Sequence, residues 1–455
     1  MPFRPWTRWR FASERNQLQP GALAQEVDRL VADSRVHRIF EWFARHEREI
    51  TDFQLAITAV PAPSFAEQAR AAWLRDSLQP FGLTATIDAV GNLLAARPGD
   101  GSHPAAPFVA VSAHLDTVFP ASTELNIRRE QARLLGPGIS DNGSGLCALW
   151  ALAGAFHAAG IVTALPLLFV ANVGEEGEGN LRGMRHIYRD HLRPNSDPAG
   201  DGSAPALALL IALDGAGTDN IISEALGSRR FEIVISGPGG HSWSDFGAPN
   251  PIVAASLVIN ALFRIPLPVN PRTTLNVGTI EGGTSVNTIP ERVVVKVDLR
   301  SSDPRRLNEL EQHLRRAVAD ACSETQSHAL HARARLRHAI AMVGERPIGE
   351  LHAASPLLAA IRAVDAQLGI KSQILRASTD ANIPLSLGLE AVSLGAGGSG
   401  GGAHTVHEWF DPAGREQALK RLALLLLVLA GLPPAAPGDA PPSPAAPKPG
   451  SQESA

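Results

Sequence analysis

A histidine and an aspartate stand two residues apart, directly after an apolar run. His114 and Asp116 follow Pro107–Val111, whose composition predicts a buried strand. Because side chains alternate along an extended chain, the imidazole and the carboxylate point to the same side. Sheets of α/β proteins gather functional groups at the carboxyl ends of their strands. The pair could bind a metal ion or form a buried hydrogen bond, and both alternatives are open at this point.

Further side chains of metal-ligand type occur later in comparable positions. Asp141 opens a predicted helix, Glu176 and Asp214 each follow a predicted strand, and His404 follows a strand and a glycine-rich loop. Each feature alone is common in solvated loops. Together with His-x-Asp, two imidazoles and three carboxylates suit a pair of zinc ions, with cobalt or manganese as alternatives. Glu175, beside Glu176, is free to act as a general base.

The order of predicted elements indicates how these side chains are brought together. Apolar strands alternate with helices over most of the chain, which predicts an α/β fold with a doubly wound sheet. In the middle of the chain the order changes to β-α-β-β-α-β, as in ferredoxin-like α+β domains. We therefore expect a flexible leader, a discontinuous catalytic domain, an inserted domain and a disordered tail, at residues 1–25, 26–227 with 344–432, 228–343 and 433–455, respectively.

Two local patterns near the N-terminus make finer predictions. Apolar residues at helical spacing from about Glu26 to Val60 predict a helix over that range. Ser64 and Glu67 have the spacing of a capping box, which would begin the next helix.

Length and composition exclude several classes of protein. The chain has 455 residues, 44% of them hydrophobic, so two globular domains are expected. A net charge of -4 argues against a nucleic-acid-binding protein. No apolar stretch approaches the ~18 residues that span a bilayer, and the N-terminus lacks the apolar part of a secretory signal. Two distant cysteines fit a reducing compartment, so we expect a cytoplasmic protein with no nucleic-acid or membrane partner.

Five ordered motifs resemble those of the co-catalytic zinc exopeptidases. This family includes peptidase T (tripeptide aminopeptidase), glutamate carboxypeptidase, succinyl-diaminopimelate desuccinylase, acetylornithine deacetylase and aminoacylase. The resemblance extends from about Glu49 to Gly431. The motifs are Ser112-Ala-His-Leu-Asp-Thr-Val118, Gly138-Ile-Ser-Asp-Asn-Gly143, Gly174-Glu-Glu-Gly177, Leu213-Asp-Gly215 and Ala403-His-Thr-Val-His-Glu408.

The resemblance implies a specific arrangement of two zinc ions. His114 and Asp214 would bind one ion, and Glu176 and His404 would bind the other. Asp141 would bridge the two ions. The His-x-x-x-Glu pattern favours His404 over the neighbouring histidine as the ligand.

Two further carboxylates receive catalytic roles from the same resemblance. Asp116 would orient His114, and Glu175 would activate the metal-bound water that attacks the scissile carbonyl. The chain departs from many members at Gly143, where they carry a lysine two residues after the bridging aspartate.

The inserted domain resembles the lid and dimerisation domain of the same family. His241 would reach the partner subunit's site in a homodimer and stabilise the oxyanion. Asn287 and Arg300 match substrate-binding positions, and a guanidinium suits a substrate carboxylate. The glycine-rich loop containing Gly398 and Ser399 would hold the substrate through backbone N–H groups.

These features predict a dizinc exopeptidase of short peptides, most similar to the tripeptide aminopeptidases. The alternatives are a carboxypeptidase or an amidohydrolase that deacylates N-acyl amino acids, because Arg300 does not decide which end of the substrate is bound. A non-catalytic binding protein on this fold would be expected to lack ligands or the base, and all are present. The G-x-S-x-G and G-x-G-x-x-G matches within 395–401 precede no helix, as a nucleophile elbow or dinucleotide site requires.

Overall fold

The structure, a computed structural model, describes residues 20–189, 206–330 and 335–434. Most of the predicted leader and most of the predicted tail therefore lie outside the described residues. The α-helices are α1 (Pro20–Ala32), α2 (Ser34–Arg45), α3 (Glu47–Thr58), α4 (Gln68–Leu78), α5 (Gly143–Ala158), α6 (Arg182–Ile187), α7 (Pro251–Phe263), α8 (Pro304–Ser327), α9 (Pro356–Leu368), α10 (Asn382–Ser386) and α11 (Arg415–Ala430).

The strands belong to two large and two small sheets. They are β1 (Thr84–Ile87), β2 (Leu93–Arg97), β3 (Phe108–His114), β4 (Arg128–Glu130), β5 (Arg133–Leu135), β6 (Leu167–Asn172), β7 (Leu207–Leu213), β8 (Asn220–Ala225), β9 (Gly227–Ser236), β10 (Gly240–His241), β11 (Thr273–Gly282), β12 (Thr288–Ile289), β13 (Arg292–Ser301), β14 (Arg337–Arg346), β15 (Gly349–Glu350), β16 (Gln373–Ala377), β17 (Ala391–Leu394), β18 (Ser399–Gly401) and β19 (Trp409–Asp411).

The largest sheet has the strand order β1-β2-β6-β3-β7-β17-β8-β15, with β16 also paired to β8. Strands β6, β3, β7 and β17 run parallel at its centre and are almost entirely buried, as strands covered on both faces must be. Helices α2, α3, α5 and α11 pack on one face, and α6 and α10 on the other. The predicted α/β fold with a doubly wound sheet is confirmed.

The second sheet has the antiparallel order β11-β13-β9-β14, which is ferredoxin-like. Alternate side chains of β9 and β13 are buried against α7 and α8. The opposite face carries charged side chains, among them Arg230 and Lys296. These elements extend from Gly227 to Arg346, slightly beyond the predicted boundaries, and the division into domains stays a prediction.

The single helix predicted from Glu26 to Val60 is wrong, because three helices occupy this region. The side chain of Asp33 accepts a hydrogen bond from the backbone N of Arg35 at 2.8 Å and caps α2. An N-cap between two amphipathic segments begins a new helix. Helix α1 starts at Pro20, within the expected flexible leader.

The capping box predicted at Ser64 and Glu67 is also wrong. Glu67 itself precedes α4, and the cap has no side-chain hydrogen bond. The Ser64 hydroxyl donates instead to Asp116 Oδ2 at 2.7 Å. A tertiary contact has replaced the local one.

Within the described ranges, every helix is too short or too polar to cross a lipid bilayer. Cys147 and Cys322 are buried free thiols. The cytoplasmic location stays a prediction.

Candidate metal centre and active site

Three predicted ligands stand at the carboxyl ends of neighbouring strands. His114 is the last residue of β3, which lies between β6 and β7. Glu176 follows the end of β6, and Asp214 directly follows β7. Because parallel strands end at the same edge of the sheet, the structure brings the three side chains together there.

The predicted ligands form two groups that share Asp141. His114 Nε2 lies 3.0 Å from Asp141 Oδ1 and 3.8 Å from Asp214 Oδ1. His404 Nε2 lies 3.2 Å from Asp141 Oδ2 and 3.0 Å from Glu176 Oε1. Within each group of three, ligand atoms lie within 4.8 Å of one another. Two imidazoles and three carboxylates in this arrangement fit two borderline divalent cations with Asp141 between them.

The histidines and carboxylates of these groups shift one another's pKa. Burial lowers the pKa of His114, but the nearby carboxylates of Asp116, Asp141 and Asp214 outweigh this effect and raise the pKa well above its ordinary value. Hydrogen bonds to Asp141 and Glu176 raise the pKa of His404 to about 10. Burial would raise the pKa of Asp141, but the two imidazoles lower it. Divalent cations would compete with these protons, so metal binding is coupled to proton release.

Glu175, the predicted base, is buried beside the ligand Glu176. Ligand atoms of Glu175, Glu176 and His114 lie within 4.8 Å of one another. Burial raises the pKa of Glu175 well above its ordinary value, and the charge of Arg346 opposes this increase. Arg346 Nη1 donates to Glu175 Oε1 at 2.7 Å, and its Nη2 donates to the Glu175 carbonyl. A buried carboxyl with a cationic partner is suited to accept a proton near neutral pH.

Arg346 is a site residue that the sequence analysis missed. It is the last residue of β14, so the second sheet supplies it. Its Nη1 also lies 3.1 Å from the Ser378 hydroxyl. Glu175 and Arg346 are 171 positions apart, and no local motif connects them. No pattern in the sequence analysis distinguished this arginine from the others.

Asp116 holds the backbone of both glutamates. Its Oδ1 accepts from the N of Glu175 at 2.9 Å, and its Oδ2 accepts from the N of Glu176 at 3.0 Å. His114 Nδ1 lies 3.0 Å from the Asp116 carbonyl and 3.7 Å from Oδ1. The backbone carbonyl is thus the nearer group for orienting the imidazole, and the orienting role of the carboxylate stays a prediction.

Glu408 performs a similar task on the other side of the site. Its carboxylate accepts hydrogen bonds from the backbone N of Gly138, Ser140 and Asp141, at 2.8, 2.8 and 2.7 Å. Burial raises its pKa to about 7, although the three hydrogen bonds oppose this shift. Because Glu408 lies four residues after His404, it ties together the loops that carry two ligands.

Asp380 is a buried carboxyl beneath the site that no motif indicated. Asn172, the strand neighbour of His114, donates from Nδ2 to Asp380 Oδ2 at 2.7 Å. Asp380 Oδ1 is buried with no hydrogen-bond partner among the described residues. Burial raises the pKa of Asp380 to about 7, while the charge of His114 opposes the shift.

The predicted lid residues lie at the surface, on the β10–β12 ribbon and on the second sheet. His241 and Asn287 are adjacent on the β10–β12 ribbon, where the Ser242 N donates to the Asn287 carbonyl at 3.0 Å. Arg300 Nε donates to Asp298 Oδ2 at 2.6 Å. Over the described ranges, none of the three predicted residues forms a hydrogen bond or ion pair with the metal-ligand set.

The glycine-rich loop packs tightly against the loops that carry the ligands. A Cβ atom at Gly400 would lie 2.5 Å from the hydroxyl of Ser140, the residue before Asp141. This position therefore requires glycine for packing. Substrate binding by Gly398 and Ser399 stays a prediction, and Ser399 is exposed.

Comparison with known families shows a match to "Peptidase family M20/M25/M40" over residues 110–430, well over half of the chain. A curated relative from Uncinocarpus reesii, named "Probable carboxypeptidase", is 27% identical over 65% of this chain and 68% of its own length. Other curated relatives with the same name are matched over about half of their length.

Two solved structures are similar over most of their length. A tripeptidase from Staphylococcus aureus has a TM-score of 0.66 and 17% identity, covering 84% of this chain and 98% of its own. An amidase of the hydantoinase/carbamoylase family from Burkholderia vietnamiensis has a TM-score of 0.65 and 21% identity, covering 84% and 97%. At these identities the similarity shows the fold.

Proposed function

We propose that this chain, which belongs to peptidase family M20/M25/M40, is a dizinc exopeptidase that hydrolyses amide bonds of short peptides. Membership of this family identifies the chain as a hydrolase of peptide or amide bonds. The number of metal ions and the substrate are our proposals. The observation that carries them is the sharing of Asp141 by two ligand groups, with the carboxylate of Glu175 next to one of them.

The donor set supports the proposed chemistry. Zinc ions, when bound, would polarise the scissile carbonyl and increase the acidity of water. Glu175 would take a proton from the attacking water and pass it to the leaving amine. Arg346 would keep the Glu175 carboxylate oriented between these steps, and Asp116 would hold the backbone that carries it.

Recognition of one end of the peptide separates two candidate activities. The tripeptide-aminopeptidase proposal is supported by the motif resemblance and by the fold of the tripeptidase. The carboxypeptidase proposal is supported by the names of the curated relatives and by the guanidinium of Arg300, which could bind a carboxylate. Deacylation of N-acyl amino acids is the related alternative.

We also propose that the second sheet joins two copies of the chain and completes the site. Strand β11 is an edge strand of that sheet, and much of it is exposed, so its backbone could pair with another strand. His241 is exposed and makes no hydrogen bond to the ligand set among the described residues. A role of His241 in catalysis would therefore require a partner subunit or a movement of the β10–β12 ribbon.

The decisive experiment is hydrolysis by zinc-reconstituted protein, followed by mass spectrometry. The substrates are a tripeptide, its N-acetylated form, its C-terminal amide and an N-acetyl amino acid. A requirement for the free N-terminus identifies an aminopeptidase, and a requirement for the free carboxylate identifies a carboxypeptidase or deacylase. The Glu175→Gln protein controls for contaminating peptidases. Absence of turnover in protein that has bound zinc would contradict the proposal.

A further inference from the structure

Phe65 combines an unfavourable backbone conformation with an exposed aromatic side chain. Its backbone φ angle is +74°, in the left-handed region that residues other than glycine and asparagine rarely adopt. The residue is 57% exposed. Such strain in a natural protein persists where the surrounding structure enforces it, and it is concentrated at functional sites. An exposed ring contributes little burial that would compensate for it.

The segment that contains Phe65 runs alongside the strand end that carries the site. The N of Thr117 donates to the carbonyl of Ala62 at 2.9 Å. The Ser64 hydroxyl donates to Asp116 Oδ2 at 2.7 Å and lies 3.4 Å from the Glu176 carbonyl. Phe65 is therefore one residue from a side chain that contacts two residues of the predicted active site.

Arg182 lies between the ring of Phe65 and the backbone next to the base. The guanidinium carbon of Arg182 lies 5.2 Å from the ring centre. Arg182 is anchored by the buried Glu67 at 2.6 Å and packs so closely on Gly174 that a Cβ there would lie 2.6 Å from its Cγ. Gly174 directly precedes Glu175. One side chain thus separates the ring from the backbone of the base.

We propose that Phe65 forms an apolar wall of a substrate subsite and selects peptides with a large apolar side chain next to the scissile bond. This inference rests on the proposed peptidase function. The ring would contact an aliphatic or aromatic side chain of the substrate, which glycine cannot provide. Selectivity of this kind, based on contact with a few carbon atoms, is expected to be about tenfold to a hundredfold.

The first test compares kcat/KM for leucine-containing tripeptides and their glycine counterparts. Phe65→Gly relieves the backbone strain and removes the ring, so the leucine-to-glycine ratio should fall by about tenfold or more. Phe65→Leu should retain most of the preference because it keeps an apolar side chain. Phe263→Ala, at an 87% exposed phenylalanine on α7, is the matched control and should keep the wild-type ratio. An unchanged ratio in Phe65→Gly would overturn the inference.

Two readouts without turnover separate this inference from the proposed function. L-Leucine should raise the Tm of the wild-type protein more than glycine does, and Phe65→Gly should lose that difference. The Tm of Phe65→Gly alone should be equal to or above wild type. A fall of more than about 4 °C would show that the ring is kept for packing, and would overturn the proposal. If no peptide is cleaved but the leucine effect depends on Phe65, the peptidase proposal fails and the apolar subsite stands; if leucine has no effect either, both fail.

Discussion

The buried floor and the exposed rim of the site are held in different ways. The floor comprises His114, Asp116, Glu175 and Glu176, each at most 6% exposed and fixed by strand ends and hydrogen bonds within the chain. The rim comprises the ligand His404, whose side chain is 54% exposed, and the predicted residues His241 and Asn287 on the β10–β12 ribbon and Arg300 on the second sheet. The rim is far more accessible to solvent and to other molecules.

This difference indicates which properties the single chain determines by itself. Burial and reciprocal hydrogen bonds fix the geometry of the floor before any substrate binds, and preorganisation of this kind is what electrostatic catalysis requires. The exposed side chains of the rim can still change their positions. Metal binding and the base should therefore be properties of one chain, whereas substrate capture should depend on the rim and on a second copy.

The largest expected effect is on the floor, from Glu175→Gln. The amide cannot accept the proton, so kcat should fall by about 10² to 10⁴ while bound zinc is retained. Zinc content by elemental analysis and turnover of the best peptide are the measurements. Glu178→Gln, at an exposed glutamate that pairs with Lys296 at 3.0 Å, is the matched control. Wild-type turnover in Glu175→Gln would remove the assignment of the base.

On the rim, His241→Ala should lower kcat by about 10² to 10³ if the imidazole stabilises the oxyanion. Because His241 is exposed, zinc content and Tm should not change. This variant therefore tests whether a rim residue contributes to kcat without contributing to zinc binding or to stability.

Mixing the two inactive proteins sharpens the same comparison. In a dimer with shared sites, a hybrid of Glu175→Gln and His241→Ala contains one site with an intact base and an intact histidine. Activity should therefore return after subunit exchange, in proportion to the hybrid fraction. Failure to recover activity when exchange has been demonstrated would contradict the shared site.

An intermediate effect is expected from Glu408→Gln, which changes the support of Asp141. The carboxylate accepts three backbone hydrogen bonds, and the amide can accept through only one of its two atoms. Zinc affinity should fall by about 10- to 100-fold, as when other supporting contacts of metal ligands are lost. Competition with a chromogenic chelator measures this affinity directly. Unchanged affinity would show that Asp141 needs no such support.

The smallest effect is a pH-dependent change in stability from Asp380→Asn. Burial raises the pKa of Asp380 from 3.8 to about 7, so the folded state binds this proton more tightly than the unfolded state. The free energy of unfolding therefore decreases as the pH rises through that interval, and asparagine removes this dependence. In chelator-treated protein, the Tm of the variant relative to wild type should be higher at about pH 8 than at about pH 5. An equal difference at both values would place the Asp380 pKa near its ordinary value.

The sheet and the ligand set could be predicted from the sequence because each signal is local. Apolar runs predict the buried strands, and His114, Glu176 and Asp214 follow such runs within a few residues. Strand ends in a parallel sheet converge by geometry alone, so the ligands needed no long-range information.

The contacts that support the site could not be predicted because they join distant parts of the chain. The pair of Glu175 and Arg346 connects positions 171 residues apart, and Glu408 lies 267 residues from Asp141. Ser64 shows how such contacts can compete with local patterns. In a capping box its hydroxyl would accept a hydrogen bond from the backbone N–H of Glu67, but it donates to Asp116 instead.

The contacts of the segment after β6 limit how the second sheet can be exchanged between related proteins. The second sheet contacts this segment through Arg230 to the Gly177 carbonyl, Lys296 to Glu178, and the Glu345 N to Asn180. Arg346 adds the contact to Glu175. A chimera that received the second sheet of another protein would therefore need residues 175–180 from the same donor. If the graft did not supply a partner such as Arg346, the buried carboxylate of Glu175 would be left unpaired, which costs about 3–5 kcal/mol.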